Sequence, residues 1–219
     1  SIPESIIWAL TVALSNHVTL LLPITEIYFQ QNVITQVASI ILMDGIILLS
    51  VIAFFLELST KKNVNLFNFI KNLFLNPFIL SIIIGLLFLL LNFNIDQTPI
   101  EYTLSKLAAC VSPVGLFAIG ITLSFYTKNV INKLSVSISV LKLVISPIIL
   151  LLIGLVFFNA GLPAEIPGAF FVSVAPCGVT SIVLCAAYNV SPENIIKAIF
   201  VSTIASIGTI FFAIKYLTL

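Results

Sequence analysis

The 219-residue sequence has little charge and no arginine. Only 8% of its residues are Asp, Glu, Lys or Arg, whereas soluble domains carry roughly 25%. All nine basic residues are lysine, and the formal net charge is +1. So few charges cannot cover a water-facing surface, and no basic surface is left for a nucleic acid.

Cysteine and histidine are also scarce. Cys110, Cys177 and Cys185 lie in apolar runs without CxxC spacing, and His17 is the single histidine. These four residues make neither a disulfide framework nor a zinc site. The sequence also shows no paired nucleophile and base. We therefore predict a protein that is not an enzyme and that has no cofactor and no metal.

Apolar residues are abundant instead. They make up 60% of the chain, and the mean hydropathy is +1.25. A membrane span needs about 20 apolar residues, and seven candidate runs predict an all-α integral membrane protein. One of them, Pro77–Leu91, is shorter and would need a few residues from either flank. The runs, numbered here as the first to the seventh span, are Pro3–Phe29, Thr35–Leu58, Pro77–Leu91, Tyr102–Phe125, Ser135–Phe158, Pro167–Tyr188 and Ile195–Leu217.

The longest connection joins the second and third spans, over Ser59–Leu75. Its Phe67, Ile70 and Phe74 recur at helical spacing beside Lys71. This pattern predicts a short amphipathic helix that lies along the membrane interface.

The lysines predict the orientation of the spans. Lys61, Lys62 and Lys71 lie between the second and third spans, and Lys128 and Lys133 lie between the fourth and fifth. Two spans separate these connections, so both face the same side. By the positive-inside rule that side is the cytoplasm. We expect a multi-pass protein of the cell membrane (inner or plasma membrane) whose C-terminus lies outside.

The first and sixth spans resemble each other, because both are interrupted by polar or helix-breaking residues. A shift of 160 positions places Asn16 over Pro176 and Tyr28 over Tyr188. The two spans lie five apart, an odd number, so the two copies must be inverted across the membrane. Inverted repeats with broken helices in matching positions mark the binding site of secondary transporters. A chance alignment of two proline kinks that only help helices pack is the alternative.

The repeat also predicts what precedes the chain. The third to seventh spans form a complete five-span unit, and the first two match the last two members of such a unit. We therefore expect about 90 residues before Ser1 in the parent protein, at about 30 residues per span with its loop.

The two interruptions predict an anion site. Asn16 can cap the second half of the first span, and Pro176 suits the first turn of the second half of the sixth. Each second half would present free N–H groups and the positive end of its dipole near mid-membrane, which favours a carboxylate. The candidate substrate-binding residues are Asn16, Thr19, Pro23, Pro176, Cys177, Gly178 and Thr180.

Three ionisable residues inside spans are candidates for ion or proton coupling. Asp44 lies near the centre of the second span, where a carboxylate marks a functional site by default. Lys142 lies some seven residues into the fifth span and compensates the charge of Asp44 or of a bound anion. His17 can respond to pH. The structural alternatives are a neutral or helix-bonded Asp44, a snorkelling Lys142 and a His17 with one satisfied hydrogen bond.

At these residues the chain resembles the auxin efflux carrier family, which includes plant auxin exporters and bacterial permeases for organic acids. The resemblance covers essentially all 219 residues, taken as the last seven of the family's ten helices. It is carried by five motifs in order: Asn16 with Pro23 and Tyr28; Leu107-Ala-Ala to Gly115-Leu-Phe-Ala-Ile-Gly120; Lys142 with Ser146-Pro147; Val174-Ala-Pro-Cys-Gly-Val; and Ala187-Tyr-Asn-Val-Ser-Pro192.

The resemblance implies an inverted five-plus-five repeat with crossed broken helices, a fold related to bile-acid symporters and sodium–proton antiporters. It implies that residues 1–58 are transport-domain helices, 59–75 a cytoplasmic interfacial loop, 76–125 scaffold helices that also form a homodimer, and 126–219 transport-domain helices including the broken helix 167–188. Asn16 matches the asparagine that contacts the substrate carboxylate. The chain departs from the family at Leu21, where a glycine is expected, and at His17, which replaces a smaller residue.

The sequence as a whole predicts a secondary transporter that moves a small organic anion by an elevator-type mechanism. The substrate is a mono- or dicarboxylate of the auxin-like or malate- or malonate-like kind, and H⁺ or Na⁺ is the candidate coupling ion. Two alternatives stay open. One is a sodium-coupled carrier of the bile-acid symporter type, and the other is a non-transporting membrane assembly or signalling subunit.

Overall fold

The computed structural model describes residues 1–60, 66–75, 77–126, 129–158 and 165–218. This part of the chain is helical and contains no β-strand. Its α-helices, in chain order, are α1 Ile2–Ala13, α2 Leu22–Tyr28, α3 Gln31–Met43, α4 Leu49–Thr60, α5 Leu66–Phe74, α6 Pro77–Leu90, α7 Pro99–Ser124, α8 Lys133–Val140, α9 Ser146–Phe158, α10 Pro167–Ser173, α11 Thr180–Ala187 and α12 Glu193–Thr218.

Three π-helical turns lie between these helices, at His17–Leu21, Asp44–Leu48 and Leu141–Ile145. The second joins α3 to α4 and the third joins α8 to α9, so each pair forms one continuous helix. Single π-turns inside helices are rare and occur frequently at functional sites. Each of these three turns contains one of the three predicted coupling residues.

Within the described residues, four helices are long and apolar enough to cross a membrane. They coincide with the second, fourth, fifth and seventh predicted spans, and the first and sixth spans are broken into shorter helices as their polar interruptions predicted. The all-α membrane architecture is therefore confirmed. The four long helices are Gln31–Thr60, Pro99–Ser124, Lys133–Phe158 and Glu193–Thr218.

Two of the long helices begin at or directly after a proline, a few residues before the start of the predicted span. Helix α7 begins at Pro99, and the side chain of the preceding Thr98 accepts a hydrogen bond from the amide of Glu101. Helix α12 begins directly after Pro192. The connection after the second span does contain a short helix, α5, as predicted, and its position along the membrane interface stays a prediction. Of the lysines that predict the orientation, Lys61, Lys62 and Lys128 lie outside the described residues.

Helix α12 runs through the centre of the packing and contacts α8, α10 and α7. The buried apolar residues form two clusters on either side of the break in the sixth span. One cluster contains Ile7, Leu56 and Cys177, and the other contains Phe171 and Ala175. The break therefore lies at the boundary between the two clusters and is held from both sides.

Candidate functional site

The two broken helices cross each other at their breaks. Ser15 and Cys177 form an isolated antiparallel bridge. The amide of Asn16 donates to the carbonyl of Pro176 at 2.9 Å, and the amide of Gly178 donates to the carbonyl of Leu14 at 2.8 Å. Asn16 and Pro176, which the internal repeat aligns, are thus bonded to each other. The antiparallel direction is the one that inverted copies require, and the complete ten-helix repeat stays a prediction.

A glycine allows the two breaks to approach this closely. A Cβ atom at Gly178 would lie 2.8 Å from Cγ of Leu14, which is closer than real side chains come. The amide of Gly178 is already used by Leu14. The expectation that this amide points to an anion is therefore wrong, because the amide already donates its hydrogen bond to the carbonyl of Leu14.

The second break, residues 174–179, is satisfied by hydrogen bonds within the protein. The amide of Cys177 donates to the hydroxyl of Ser202 at 3.2 Å, and the hydroxyl of Thr209 donates to the carbonyl of Val174 at 2.9 Å. The hydroxyl of Ser15 donates to the carbonyl of Val172 at 2.9 Å. These partners hold the backbone in an extended form that needs no ligand.

The second half of the sixth span begins later than the sequence predicts. Pro176 was expected in its first turn, but α11 starts at Thr180 and Pro176 lies in the extended break. The physical reason is that the carbonyl of Pro176 and the amide of Cys177 bond to Asn16 and Ser202. Thr180 is half-buried at the start of α11.

The first break is satisfied less completely. Asn16 is 3% exposed and precedes the π-turn, but its side chain makes no capping hydrogen bond, so the predicted cap is wrong. Its Oδ1 accepts a hydrogen bond from the Thr19 hydroxyl instead. Its Nδ2 has no partner among the described residues. A buried donor without a partner costs about 1–3 kcal/mol, which makes this atom the strongest candidate for a ligand contact.

His17 and Asp44 lie close together beside this break. Nε2 of His17 is 3.0 Å from Oδ2 of Asp44. His17 is 7% exposed, and its Nδ1 has no partner among the described residues. The sequence singled out both residues but did not pair them, because the pairing depends on how two separate helices face each other.

Lys142 is the most deeply buried charged side chain of the described chain, with 1% exposure. Its Nζ donates to the carbonyl of Ala13 at 3.3 Å. The ammonium contacts the end of α1 and does not extend to the membrane surface. The alternative that Lys142 snorkels is therefore wrong. Lys142 and Asp44 line one cavity of about 310 Å³, together with Ala13, Ser15, Ser146 and Ser173.

Helix α7 packs against the π-turn that follows the first break. A Cβ atom at Gly115 would lie 2.6 Å from Cγ2 of Thr19, so only glycine fits this contact without a shift. At Gly120 nothing lies within 4 Å of an added Cβ atom. Pro23 is the second residue of α2 and suits the start of that helix. It lies seven residues beyond Asn16, roughly 10 Å at 1.5 Å per residue.

Sequence reasoning missed the residues that hold the second break. Ser202, Ser206 and Thr209 recur at helical spacing on α12, and two of them bond the break. A polar stripe inside an apolar helix was the available signal. Among the described residues no three His, Cys, Asp or Glu side chains are grouped closely enough to hold a metal ion.

A comparison with protein families agrees with the membrane fold. The chain matches the model of a family described as membrane transport protein over residues 2–214, which includes both broken helices. No curated protein matches the sequence. Since the match covers nearly the whole chain, the protein belongs to this family of membrane transport proteins, the auxin efflux carrier family that its sequence motifs resemble.

Proposed function

We propose that the protein is a secondary transporter that carries a small organic anion, a mono- or dicarboxylate, across the cell membrane. Membership of a membrane transport family supports transport. The observation that carries the choice of substrate is the buried Nδ2 of Asn16, a donor without a partner at the crossing of two broken helices.

The carboxylate is recognised by donors on the first break. Nδ2 of Asn16 donates one hydrogen bond to the carboxylate. The backbone amides in the first turn of His17–Leu21 add the positive end of a helix dipole. Such a helix start binds an anion without an arginine, and this chain has none. The hydroxyl of Thr180, at the start of α11, reaches the substrate from the second helix.

The substrate changes sides by an elevator-type movement. Helices α1–α4 and α8–α12 form the crossing and supply all the α-helical residues of the two apolar clusters except Ile119 of α7, so we assign them to one transport unit. Helices α6 and α7 are the scaffold and the dimer contact. The contact of α7 with the crossing through Gly115 and Thr19 supports this division, because a smooth glycine surface lets one unit slide past the other.

The pair of His17 and Asp44 couples transport to protons. The two side chains are 3.0 Å apart and lie directly beside Asn16, so a change in their protonation alters the charge that the substrate meets. Na⁺ is the other candidate ion. Uptake that follows the pH gradient and not the Na⁺ gradient supports the proton.

Binding of carboxylates to the purified protein tests the proposed function. We expect a small mono- or dicarboxylate to bind in a scintillation screen and to be taken up by proteoliposomes. Asn16→Ala should weaken binding roughly 10- to 100-fold, because a hydrogen bond to a charged group contributes about 1.5–3 kcal/mol. Asn32→Ala is the matched control, since Asn32 is exposed and only bonds the neighbouring amide of Val33.

Two results would contradict the proposal. Unchanged carboxylate binding by a folded Asn16→Ala variant would remove the site. No binding or uptake of any carboxylate by the folded wild-type protein would favour a non-transporting assembly subunit.

A further inference from the structure

The cavity that contains Lys142 lies where the first halves of both broken helices end. Helix α1 ends at Ala13 and α10 ends at Ser173, and both residues line the cavity. The last carbonyls of a helix lack intrahelical partners and carry about half a negative charge. The carboxylate of Asp44 lines the same cavity. Three sources of negative potential therefore converge on one cavity.

The side chain of Lys142 brings a positive charge into this negative potential. Among the described residues that line the cavity, Lys142 is the one with a cationic side chain. Its ammonium donates to the carbonyl of Ala13, at the very end of α1, and the carboxylate of Asp44 lines the same cavity. A buried charge needs hydrogen-bond acceptors and opposite charge nearby, and this carbonyl and this carboxylate supply them.

We propose that this cavity is a binding site for a monovalent cation and that the ammonium of Lys142 occupies it as a tethered cation. The wild-type protein then needs no dissociable cation at this position. Removal of the ammonium converts the cavity into a site for a free small cation. A primary alkylammonium ion is the closest copy of the lost group, and Na⁺ is the simplest ion of the same charge.

The serines around the cavity offer oxygen ligands for such a cation. The hydroxyl of Ser15 donates its proton to the carbonyl of Val172, and that of Ser173 donates to the carbonyl of Phe170. Because both protons point to helix carbonyls, the lone pairs of both oxygens stay available. Hard cations prefer oxygen ligands of this kind.

The opposite assignment, an anion held by Lys142, does not suit the surroundings. An anion in this cavity would face Asp44 and the carbonyl ends of α1 and α10. The donors suited to an anion lie instead on the N-terminal turn that follows Asn16. The cation site therefore does not depend on the proposed carboxylate site, and each can fail alone.

The thermal stability of Lys142→Ala tests this proposal with the full-length protein in detergent or nanodiscs. Unfolding is followed by the fluorescence of Trp8, the single tryptophan, which packs on an apolar cluster. In a buffer with N-methylglucamine as the only cation, the variant should melt below the wild type. Ethylammonium or Na⁺ at the same ionic strength should raise its midpoint saturably, by roughly 5 °C or more at 100 times the dissociation constant. The wild-type midpoint should not respond.

Lys197→Ala is the matched control. Lys197 is the other deeply buried lysine of the described chain, with 4% exposure, and its Nζ pairs with Glu193 at 2.6 Å outside the cavity. Loss of this lysine should lower the midpoint without creating a response to ethylammonium or Na⁺. An equal response in the control would show a non-specific salt effect and would overturn the proposal.

A second variant keeps the test decisive if Lys142→Ala does not fold. Asp44→Asn combined with Lys142→Ala removes both charges, so it should fold better than Lys142→Ala alone and lose the cation response. A folded Lys142→Ala without a cation response overturns the proposal. The same holds if the double variant folds no better, or if the wild type responds as strongly as Lys142→Ala. Carboxylate binding is measured separately, so its failure leaves this result unaffected.

Discussion

The two breaks cross each other, but the protein holds them in different ways. The second break, around Pro176, bonds its backbone to Ser202 and Thr209 of α12. The first break leaves Nδ2 of Asn16 and Nδ1 of His17 without partners among the described residues. We therefore assign the second break a structural role in the crossing and propose the first break as the part that meets a ligand.

The neighbours of each break explain this difference. The second break packs against the middle of α12, the most buried of the four long helices, whose polar stripe reaches the freed backbone groups. The first break faces Gly115 of α7, which has no side chain to offer a hydrogen bond. Two segments that match in sequence thus acquire different roles from what packs against them.

The largest expected effect comes from forcing the breaks apart. Gly178→Ala places a methyl group 2.8 Å from Cγ of Leu14, and such overpacking costs about 1–3 kcal/mol. Gly208→Ala is the control, because nothing lies within 4 Å of Gly208 in α12, and replacing a helical glycine gains about 0.5–1 kcal/mol. Unfolding followed by Trp8 fluorescence should separate the two variants. Equal stabilities would mean that the close crossing is not needed.

Removing one anchor of the second break should have the next largest effect. Ser202→Ala leaves the buried amide of Cys177 without an acceptor, which costs about 1–3 kcal/mol of unfolding free energy. Ser206→Ala is the matched control on the same helix face, since the Ser206 hydroxyl bonds only the carbonyl of Thr203 within α12. We expect a clear loss for the first variant and little change for the second. A loss of the same size in both would refute the assignment of Ser202 as an anchor.

The corresponding change at the first break should alter stability little. Asn16→Ala removes a donor that has no partner, and the freed Thr19 hydroxyl can turn to a carbonyl one helical turn earlier. We expect the unfolding free energy without substrate to change by less than about 1 kcal/mol, well below the loss for Ser202→Ala. Unfolding in denaturant with carboxylates left out measures this. A loss as large as that for Ser202→Ala would make Asn16 a structural residue.

Much of this arrangement could be predicted from the sequence, because hydropathy and helix-breaking residues act locally. Apolar length predicted the four long helices, although α7 and α12 begin two or three residues before the predicted spans. The internal repeat aligned Asn16 with Pro176, and the structure bonds these two residues.

The parts that could not be predicted depend on tertiary contacts. A π-turn adds one residue to a helical turn and leaves the apolar pattern almost unchanged, so the turns at Asp44 and Leu141 had no signal. The start of α11 was misplaced because Asn16 and Ser202 compete for the backbone of the second break. The burial of Lys142 likewise depends on the end of α1, which is far away in sequence.

The smallest expected effect separates the role of Thr19 from the stability of the crossing. Gly115→Ala puts a Cβ atom 2.6 Å from Cγ2 of Thr19, so the Thr19 side chain must rotate and weaken its bond to Oδ1 of Asn16. The gain in helix stability of about 0.5–1 kcal/mol offsets much of the contact cost, so stability should change little.

Carboxylate affinity should nevertheless fall by up to about tenfold. The side-chain amide of Asn16 loses the hydrogen bond from Thr19 that orients it, and such a bond contributes about 0.5–1.5 kcal/mol. Gly120→Ala is the control on the same helix, where the added methyl group meets open space. Scintillation binding of the best carboxylate to both variants measures the difference. If both bind as the wild type does, Thr19 does not orient Asn16, and the anion must be held by backbone amides alone.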